Sequence, residues 1–348
     1  MSQDHMKNDQ KRNIYGATLD ELAAIAEKHS IPSYAAGQIA GWLYKHHADA
    51  WGQMTNLSKQ VRKMLQDFYT LDVADPVDVI VSSDGTKKYL FNVNGMGNVE
   101  SAYIPEGERH TLCVSSQLGC RMGCNFCMTG RMGFHGQLGS GDILNQIRSI
   151  PERDQLTNIV YMGMGEPFDN TDEVLKSLEV LTSDWGFGMS PKRITVSTIG
   201  VLPGMKRFLE ESRCNLAVSL HSPFEEERRA LMPMNKAYPL KDVLDTIRSF
   251  PKGKQRRISF EYIVFGGYNH SASHVKELAR VLQGIACRIN LIRFHSIPDS
   301  HLKPPSEADL NQFKTLLEAK GFITIIRKSR GQDINAACGM LANESVKK

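Results

Sequence analysis

No stretch of the 348-residue sequence is apolar enough to span a bilayer, so a membrane-spanning helix is excluded. The opening segment, MSQDHMKNDQKRNIYG, lacks the apolar core of a signal peptide, and a cytoplasmic protein is expected. There is no internal repeat and no low-complexity segment, which excludes solenoids and compositionally biased linkers. An excess of one charge is also missing. Lys and Arg number 42 against 38 Asp and Glu, giving a net charge of +4 and a pI near 8.6. That balance permits a nucleic-acid partner without demanding one. Cysteine is scarce, at seven residues, an odd number, and three of them fall within eight positions. A chain this long buries enough core to fold without disulfides or zinc. In a cytosolic chain, such clustering marks metal ligands or reactive thiols.

The first 70 residues read as helices. Thr18 and Glu21 form a capping box ahead of Leu22, Ile25 and Ala26. A second helix takes Ile39, Trp42 and Leu43, and a third takes Val61, Met64, Leu65 and Phe68. Asp75-Pro76 breaks the pattern. VDVIVSS and TKKYLFNV flank Asp84-Gly85, a hairpin signal, and a short strand VESAYI follows. From Thr111 the rhythm changes. The apolar runs TLCVSS, TNIVYMG, RITVST, NLAVSL, RISFEYIVF and NLIRFH alternate with amphipathic stretches such as DEVLKSLEVL and HVKELARVLQ. This predicts an α/β fold with a parallel sheet and helices outside. Six such units are too few to close an eight-stranded barrel, so a partial, open (β/α)6 TIM-type barrel is expected. A final helix begins near Ser306, and the strand GFITIIRK leads into a glycine-containing tail. The expected division is a helical part over 1–75, a β-hairpin extension over 76–110 and a core over 111–345.

Cys120-Arg-Met-Gly-Cys124-Asn-Phe-Cys127 places three thiolates on one loop after a strand. A structural zinc site is normally closed by four ligands. No fourth ligand stands at zinc-finger spacing, although His135 and Cys113 are near. Three cysteines on a 4Fe-4S cube instead leave one iron open, which S-adenosylmethionine (SAM) can chelate. Further on, Met162-Gly-Met-Gly-Glu166-Pro167 follows TNIVY, and its glycines let backbone approach a ligand while Glu166 can accept from an ammonium group. Ser197, Ser219, His221 and His295 also stand at strand ends, where barrel enzymes place their sites. Either a helix cap or a satisfied core group would explain any one of them alone. Cys338 sits among the small residues Ala336, Ala337 and Gly339, which suit a loop pressed into a cavity. Cys214 and Cys287 read as small buried hydrophobes. Arg327, Lys328 and Arg330 form one basic run, and Lys252, Lys254, Arg256 and Arg257 another; each suits phosphate contact or a solvated face.

Glu100, TLCVSSQLGC, CRMGCNFC, GMGEP, ITVSTIG, SLHSP, NLIRF and RGQDINAACG together resemble the RlmN/Cfr family of radical SAM RNA methyltransferases, over nearly the whole chain. The resemblance implies a 4Fe-4S cluster on Cys120, Cys124 and Cys127, and SAM bound by Gly165, Glu166, Ser197, Ser219, Leu220, His221 and the position of His295. It implies methylation of adenine carbon 2, at adenine 2503 of 23S rRNA and adenine 37 of tRNAs, with carbon 8 as the Cfr-like alternative. Carbon 2 is electron-poor, so direct transfer from SAM should fail. The family's route methylates Cys338 first, joins that carbon to adenine by radical chemistry, removes a ring proton with Glu100, and frees the product when Cys113 attacks the bridging sulfur. A Cys113–Cys338 disulfide would result. RNA contact by the N-terminal helices, a monomer, and an electron donor such as flavodoxin or ferredoxin are implied too. A non-catalytic metal-containing RNA-binding protein is the alternative outside the enzyme class; it would need no such set as Glu100, Cys113 and Cys338. This sequence departs from the family at His295, where asparagine is usual, at Asn335 and Met340, and in GFHGQL, which lacks the usual Arg-Asn.

Overall fold

Short β-branched runs alternating with amphipathic stretches build one large sheet. The computed structural model describes residues 11–93, 95–250 and 257–341, so Lys252, Lys254 and Arg256 lie outside the described residues. The sheet has ten strands: β1 (Asp78–Val81), β2 (Lys87–Val93), β3 (Gly97–Glu106), β4 (Arg109–Val114), β5 (Asn158–Tyr161), β6 (Ile194–Thr198), β7 (Asn215–Ser219), β8 (Ile258–Val264), β9 (Cys287–Arg293) and β10 (Ile323–Ile326). They lie side by side in chain order. Strands β1 to β4 form an antiparallel meander, and β4 to β10 run parallel. Among the described residues β1 and β10 have no pairing with each other, so the barrel is open, as its unit count predicts. The run VESAYI belongs to a longer strand, because the hairpin pairing carries β3 out to Glu106.

Helices cover the parallel strands with apolar stripes at helical spacing. Val174, Leu178 and Leu181 face inward from Thr171–Thr182; Leu310, Phe313 and Leu317 do so from Glu307–Glu318. The helix Leu202–Glu211 is not evident in the sequence, where Leu-Pro-Gly reads as a break. Proline is tolerated there because it lies in the first turn, whose amide has no helical partner. Gly204 is needed for a different reason: a Cβ would stand 2.6 Å from the Phe168 carbonyl oxygen.

The three N-terminal helices fall at Leu19–Lys28, Tyr34–Tyr44 and Lys59–Phe68, where the pattern places them. The Thr18 hydroxyl accepts from the Glu21 amide at 3.2 Å, and the Glu21 carboxylate accepts from the Thr18 amide at 3.0 Å. Leu22, Ile25, Ile39 and Leu43 are buried between the helices. The bundle is fastened to the barrel by polar contacts: Lys176 to Glu21 at 2.8 Å, Ser140 Oγ to the Gly16 carbonyl at 2.9 Å, and Arg148 to the His47 carbonyl at 2.7 Å. Among the described residues, no helix is long and apolar enough to cross a membrane.

Candidate active site

Parallel strands bring their C-terminal ends to one side, and a cavity of about 460 Å³ opens among them. Cys120, Cys124 and Cys127 all line it. A two-stranded ribbon, Gln117–Gly119 against Phe134–Gln137, holds both ends of their loop, and the Cys120 amide donates to the Gly133 carbonyl at 2.8 Å. The middle of the loop is tied across the site, with the Asn125 amide donating to the Leu231 carbonyl at 3.0 Å. Burial pushes the Cys120 thiol up to about 12 and the Cys124 thiol well above its usual range, and the neighbouring cysteines add to both shifts. Burial raises Cys127 as well, though it is only partly covered, and three thiols that ionise poorly unaided fit a cationic centre, which would stabilise the thiolates directly. Among the described residues, no three His, Cys, Asp or Glu side chains converge on a position for one metal ion. A cube of four irons asks for a wider set, because each sulfur serves a different iron.

Glu166 is 3% exposed, at the turn after β5. Its Oε1 accepts from Thr198 Oγ1 at 2.6 Å and the Phe168 amide at 3.1 Å, and its Oε2 accepts from the Ile199 amide at 3.0 Å. Burial outweighs these donors and raises its pKa to about 7. An incoming ammonium group would reverse that shift. Gly165 has φ +99°, and a Cβ there would lie 2.5 Å from the Gln117 Cβ, so only glycine fits the turn. Gln117, fully buried, accepts from the Glu166 amide at 2.7 Å and donates to Asp169 at 2.7 Å.

Ser197, Ser219, His221 and His295 line the same cavity; Leu220 is buried behind it, its amide donating to the Glu261 carbonyl at 2.9 Å. The His221 Nδ1 accepts from the Ile263 amide at 3.0 Å, which assigns the proton to Nε2. Burial lowers its pKa to about 3, so the ring is neutral. It sits at φ +58°, edge-on to Phe126 of the cysteine loop with ring centroids 4.8 Å apart. His295 meets the Ser329 hydroxyl at 2.8 Å.

The tail crosses the open side of the barrel. Asp84 accepts from the Gly331 amide at 3.0 Å, and Asp333 accepts from Ser82 Oγ at 2.5 Å and the Ser83 amide at 3.1 Å. Beyond them Ala336 packs on Ala102, Cys113 and Val160. The far end is held by the Met128 amide on the Gly339 carbonyl at 2.8 Å and Thr129 Oγ1 on the Leu341 carbonyl at 2.7 Å. Asn335 takes a left-handed conformation at φ +53°, which asparagine tolerates better than most residues. Cys338 is open to the cavity though protein surrounds it, and Cys113 faces the same space from β4. Burial raises both thiols; Arg327 opposes the shift at Cys338, and the Met162 amide opposes it at Cys113. Both are free thiols, so the disulfide implied by the resemblance is absent from this structure.

Glu100 is placed differently. It is 1% exposed, does not line the cavity, and pairs with buried Lys88 at 2.9 Å. Arg228 is the residue that the sequence hides best. Its guanidinium donates to the Ile199 carbonyl at 2.7 Å, the Ser219 carbonyl at 3.1 Å and Asn235 Oδ1. The only cue was its spacing three residues before Leu231, on the buried face of a short helix otherwise rich in charge. Cys214 is buried as expected, whereas Cys287 is only partly so.

Residues 114–282 match the family model described as Radical SAM superfamily, and residues 12–71 match the one described as Ribosomal RNA large subunit methyltransferase N-terminal domain. A probable dual-specificity RNA methyltransferase RlmN from Porphyromonas gingivalis is 54% identical, covering 96% of this chain and 97% of that one. The dual-specificity RNA methyltransferase RlmN of Desulfotalea psychrophila is 39% identical, over 100% of this chain and 99% of that one. The crystal structure of a radical SAM methyltransferase from Sphaerobacter thermophilus superposes with a TM-score of 0.88 at 37% identity, covering 96% of this chain and all of that one.

Proposed function

The chain belongs to the RlmN family of radical SAM RNA methyltransferases, and from that premise we propose that it methylates carbon 2 of adenine 2503 in 23S rRNA and of adenine 37 in tRNAs. The observation that supports this most directly is that Cys113 and Cys338 open on the cavity that also holds the three loop cysteines. A protein that only bound RNA would need neither thiol there.

In this reading Cys120, Cys124 and Cys127 hold a 4Fe-4S cluster, and Gly165, Glu166, Ser197, Ser219, Leu220, His221 and His295 bind SAM. When bound, the cluster would supply the electron for one-electron cleavage of SAM. Glu166 holds an ammonium group with its buried carboxylate, and neutral His221 offers Nε2–H as a donor. Cys338 carries the methyl group; nearby Arg327 favours its thiolate, the form that accepts an electrophilic methyl. Cys113 ends the reaction. Its thiolate attacks the Cys338 sulfur, a sulfur–sulfur bond forms, the sulfur–carbon bond breaks, and the released electron pair goes to the adenine adduct, which takes up a proton. The disulfide therefore arises on turnover and must be reduced before the next cycle. By the family's route Glu100 accepts the ring proton, which must reach it from the cavity, because Glu100 lies outside the lining and is ion-paired with Lys88 at 2.9 Å. The helices over 1–75 serve as an RNA-binding part, 76–110 extends the sheet, and 111–345 forms the catalytic core. The protein works as a cytoplasmic monomer with a flavodoxin or ferredoxin as electron donor.

Mass spectrometry of rRNA and tRNA from cells with and without the gene tests the reading. Loss of 2-methyladenine on deletion is expected. Loss of 8-methyladenine would assign Cfr-like chemistry, and unchanged RNA would remove the proposal.

A further inference from the structure

The N-terminal ends of the barrel strands, away from the cysteine loop, carry arginines that none of the steps above requires. Arg109 opens β4, Arg193 immediately precedes β6, and Arg257 immediately precedes β8. The parallel register brings these starts to one rim: Ile194 pairs with Ile159, which pairs with Leu112, while Ile258 pairs with Leu216. Arg327 follows β10 and lines the cavity, as Arg109 does. All four side chains are exposed. Arg109 lies close enough to Arg193, Arg257 and Arg327 that each opposes its charge. Arg327 in turn lies close enough to Cys338 to favour its thiolate. The basic rim thus reaches inward toward the methyl-carrying sulfur.

Among the described residues no ion pair neutralises this charge directly. Among the described residues, Arg109, Arg193, Arg257 and Arg327 form no ion pair. The nearby Glu106 is engaged by Lys328 at 3.7 Å, and the carboxylate of Glu261 is buried and accepts from Asn290 at 2.7 Å and Ser259 at 3.0 Å. Clustered guanidinium groups repel one another unless an anion sits between them, and their planar forks match phosphate oxygens. An adenine that reaches Cys338 stays attached to a phosphate on each side. Arg109 and Arg327 line that cavity, where phosphates flanking a seated base can meet them.

We propose that Arg109, Arg193, Arg257 and Arg327 form a phosphate-binding rim that grips the RNA backbone on either side of the target adenine. This rests on the RNA methyltransferase reading and adds where the backbone lies: from the starts of β4, β6 and β8 across to the end of β10, where Arg327 lines the cavity.

The test uses the iron–sulfur-loaded enzyme and an unmodified tRNA transcript, with binding measured across a salt series. In Arg109→Gln/Arg193→Gln/Arg257→Gln the slope of log affinity against log salt should fall by roughly 2, since each lost phosphate contact removes about 0.7–0.9. Affinity near physiological salt should fall on the order of tenfold or more. The triple lysine replacement keeps the charges and should keep most of the slope. If the triple glutamine variant loses its iron–sulfur absorbance, Arg193→Gln and Arg257→Gln separately should each lower the slope by about 0.7–0.9. Unchanged slopes in an enzyme whose parent methylates the transcript would overturn the rim and leave the function standing. Unchanged RNA binding with turnover slowed only under a reduced protein electron carrier would overturn it in favour of that carrier. A parent that neither binds nor methylates RNA would remove the functional reading and the rim together.

Discussion

Arg228→Met should destabilise the protein by about 3–5 kcal/mol. The residue is 1% exposed, and its guanidinium satisfies two main-chain carbonyls, Ile199 and Ser219, together with the Asn235 side chain. A charged hydrogen bond contributes about 1.5–3 kcal/mol, and each buried acceptor left bare costs about 1–3 kcal/mol. Against this stands the desolvation of the cation itself, visible in a pKa lowered to about 10. Methionine removes that cost and keeps most of the volume, so the net falls below the sum of three lost bonds. Unfolding of the cluster-free protein in urea gives the free energy directly, and the thermal midpoint should drop by roughly 6–10 °C at about 2 °C per kcal/mol. SAM affinity should fall as well, because the freed carbonyls of Ile199 and Ser219 end the strands that line the cavity. Arg228→Lys, which can satisfy one or two acceptors, should recover part of both losses. A methionine variant within about 1 kcal/mol of the parent, with unchanged SAM binding, would refute the account.

Three further outcomes follow from the same geometry. Glu166 has its folded pKa raised from 4.5 to about 7, so its protonated form favours folding below pH 4.5 and that contribution is lost as pH rises through 7. Urea midpoints of the cluster-free protein should show this slope and Glu166→Gln should flatten it, whereas SAM binding, which needs the carboxylate, should weaken as pH falls through the same window; an identical pH profile in the glutamine variant would contradict the assignment. Replacing Cys120, Cys124 or Cys127 by alanine should take anaerobically purified protein from about four irons per chain to nearly none, and stoichiometric zinc in the parent would contradict the cluster. Cys338→Ala should accept no methyl group, whereas Cys113→Ala should acquire it and stall as a protein–RNA cross-link visible on denaturing gels; two equal, modest stability losses with no cross-link would reduce both cysteines to packing residues.

The sequence discloses what is local. Cys120, Cys124 and Cys127 lie within one loop, so their spacing alone indicates a metal centre. The strands from Thr111 onward are legible because each is a short apolar run bounded by turn residues, and chain-order pairing then follows from the alternation with helices. What depends on distant partners is hidden. Nothing in the pattern says that Lys88 is buried against Glu100, or that Gln117 supports the turn at Glu166. Arg109, Arg193 and Arg257 are isolated basic residues in the sequence and neighbours only because parallel strands share a starting edge. The meeting of Cys113 with Cys338 was available only through the family resemblance, since the tail must first cross the barrel opening.

That crossing explains the division of labour between the two thiols. Cys113 belongs to β4, whose residues pair with β3 on one side and β5 on the other, so its sulfur is held by the ladder. Cys338 belongs to no strand. It hangs between the hairpin turn that holds Gly331 and Asp333 and the short helix Met128–Arg131 that holds Gly339 and Leu341. The second anchor begins one residue after Cys127, so the segment that positions the outermost loop cysteine also positions the methyl carrier. A carrier must meet a methyl donor, then a radical, then the base, and finally a resolving thiolate. A sulfur on a loop fixed at both ends can move with its backbone among these partners, while one on a ladder strand has only its side-chain torsion, because shifting its backbone would break ladder hydrogen bonds. The resolving thiol has a single partner and gains from being fixed. The fold therefore places the sulfur that reacts repeatedly on the strap and the one that reacts once on the strand.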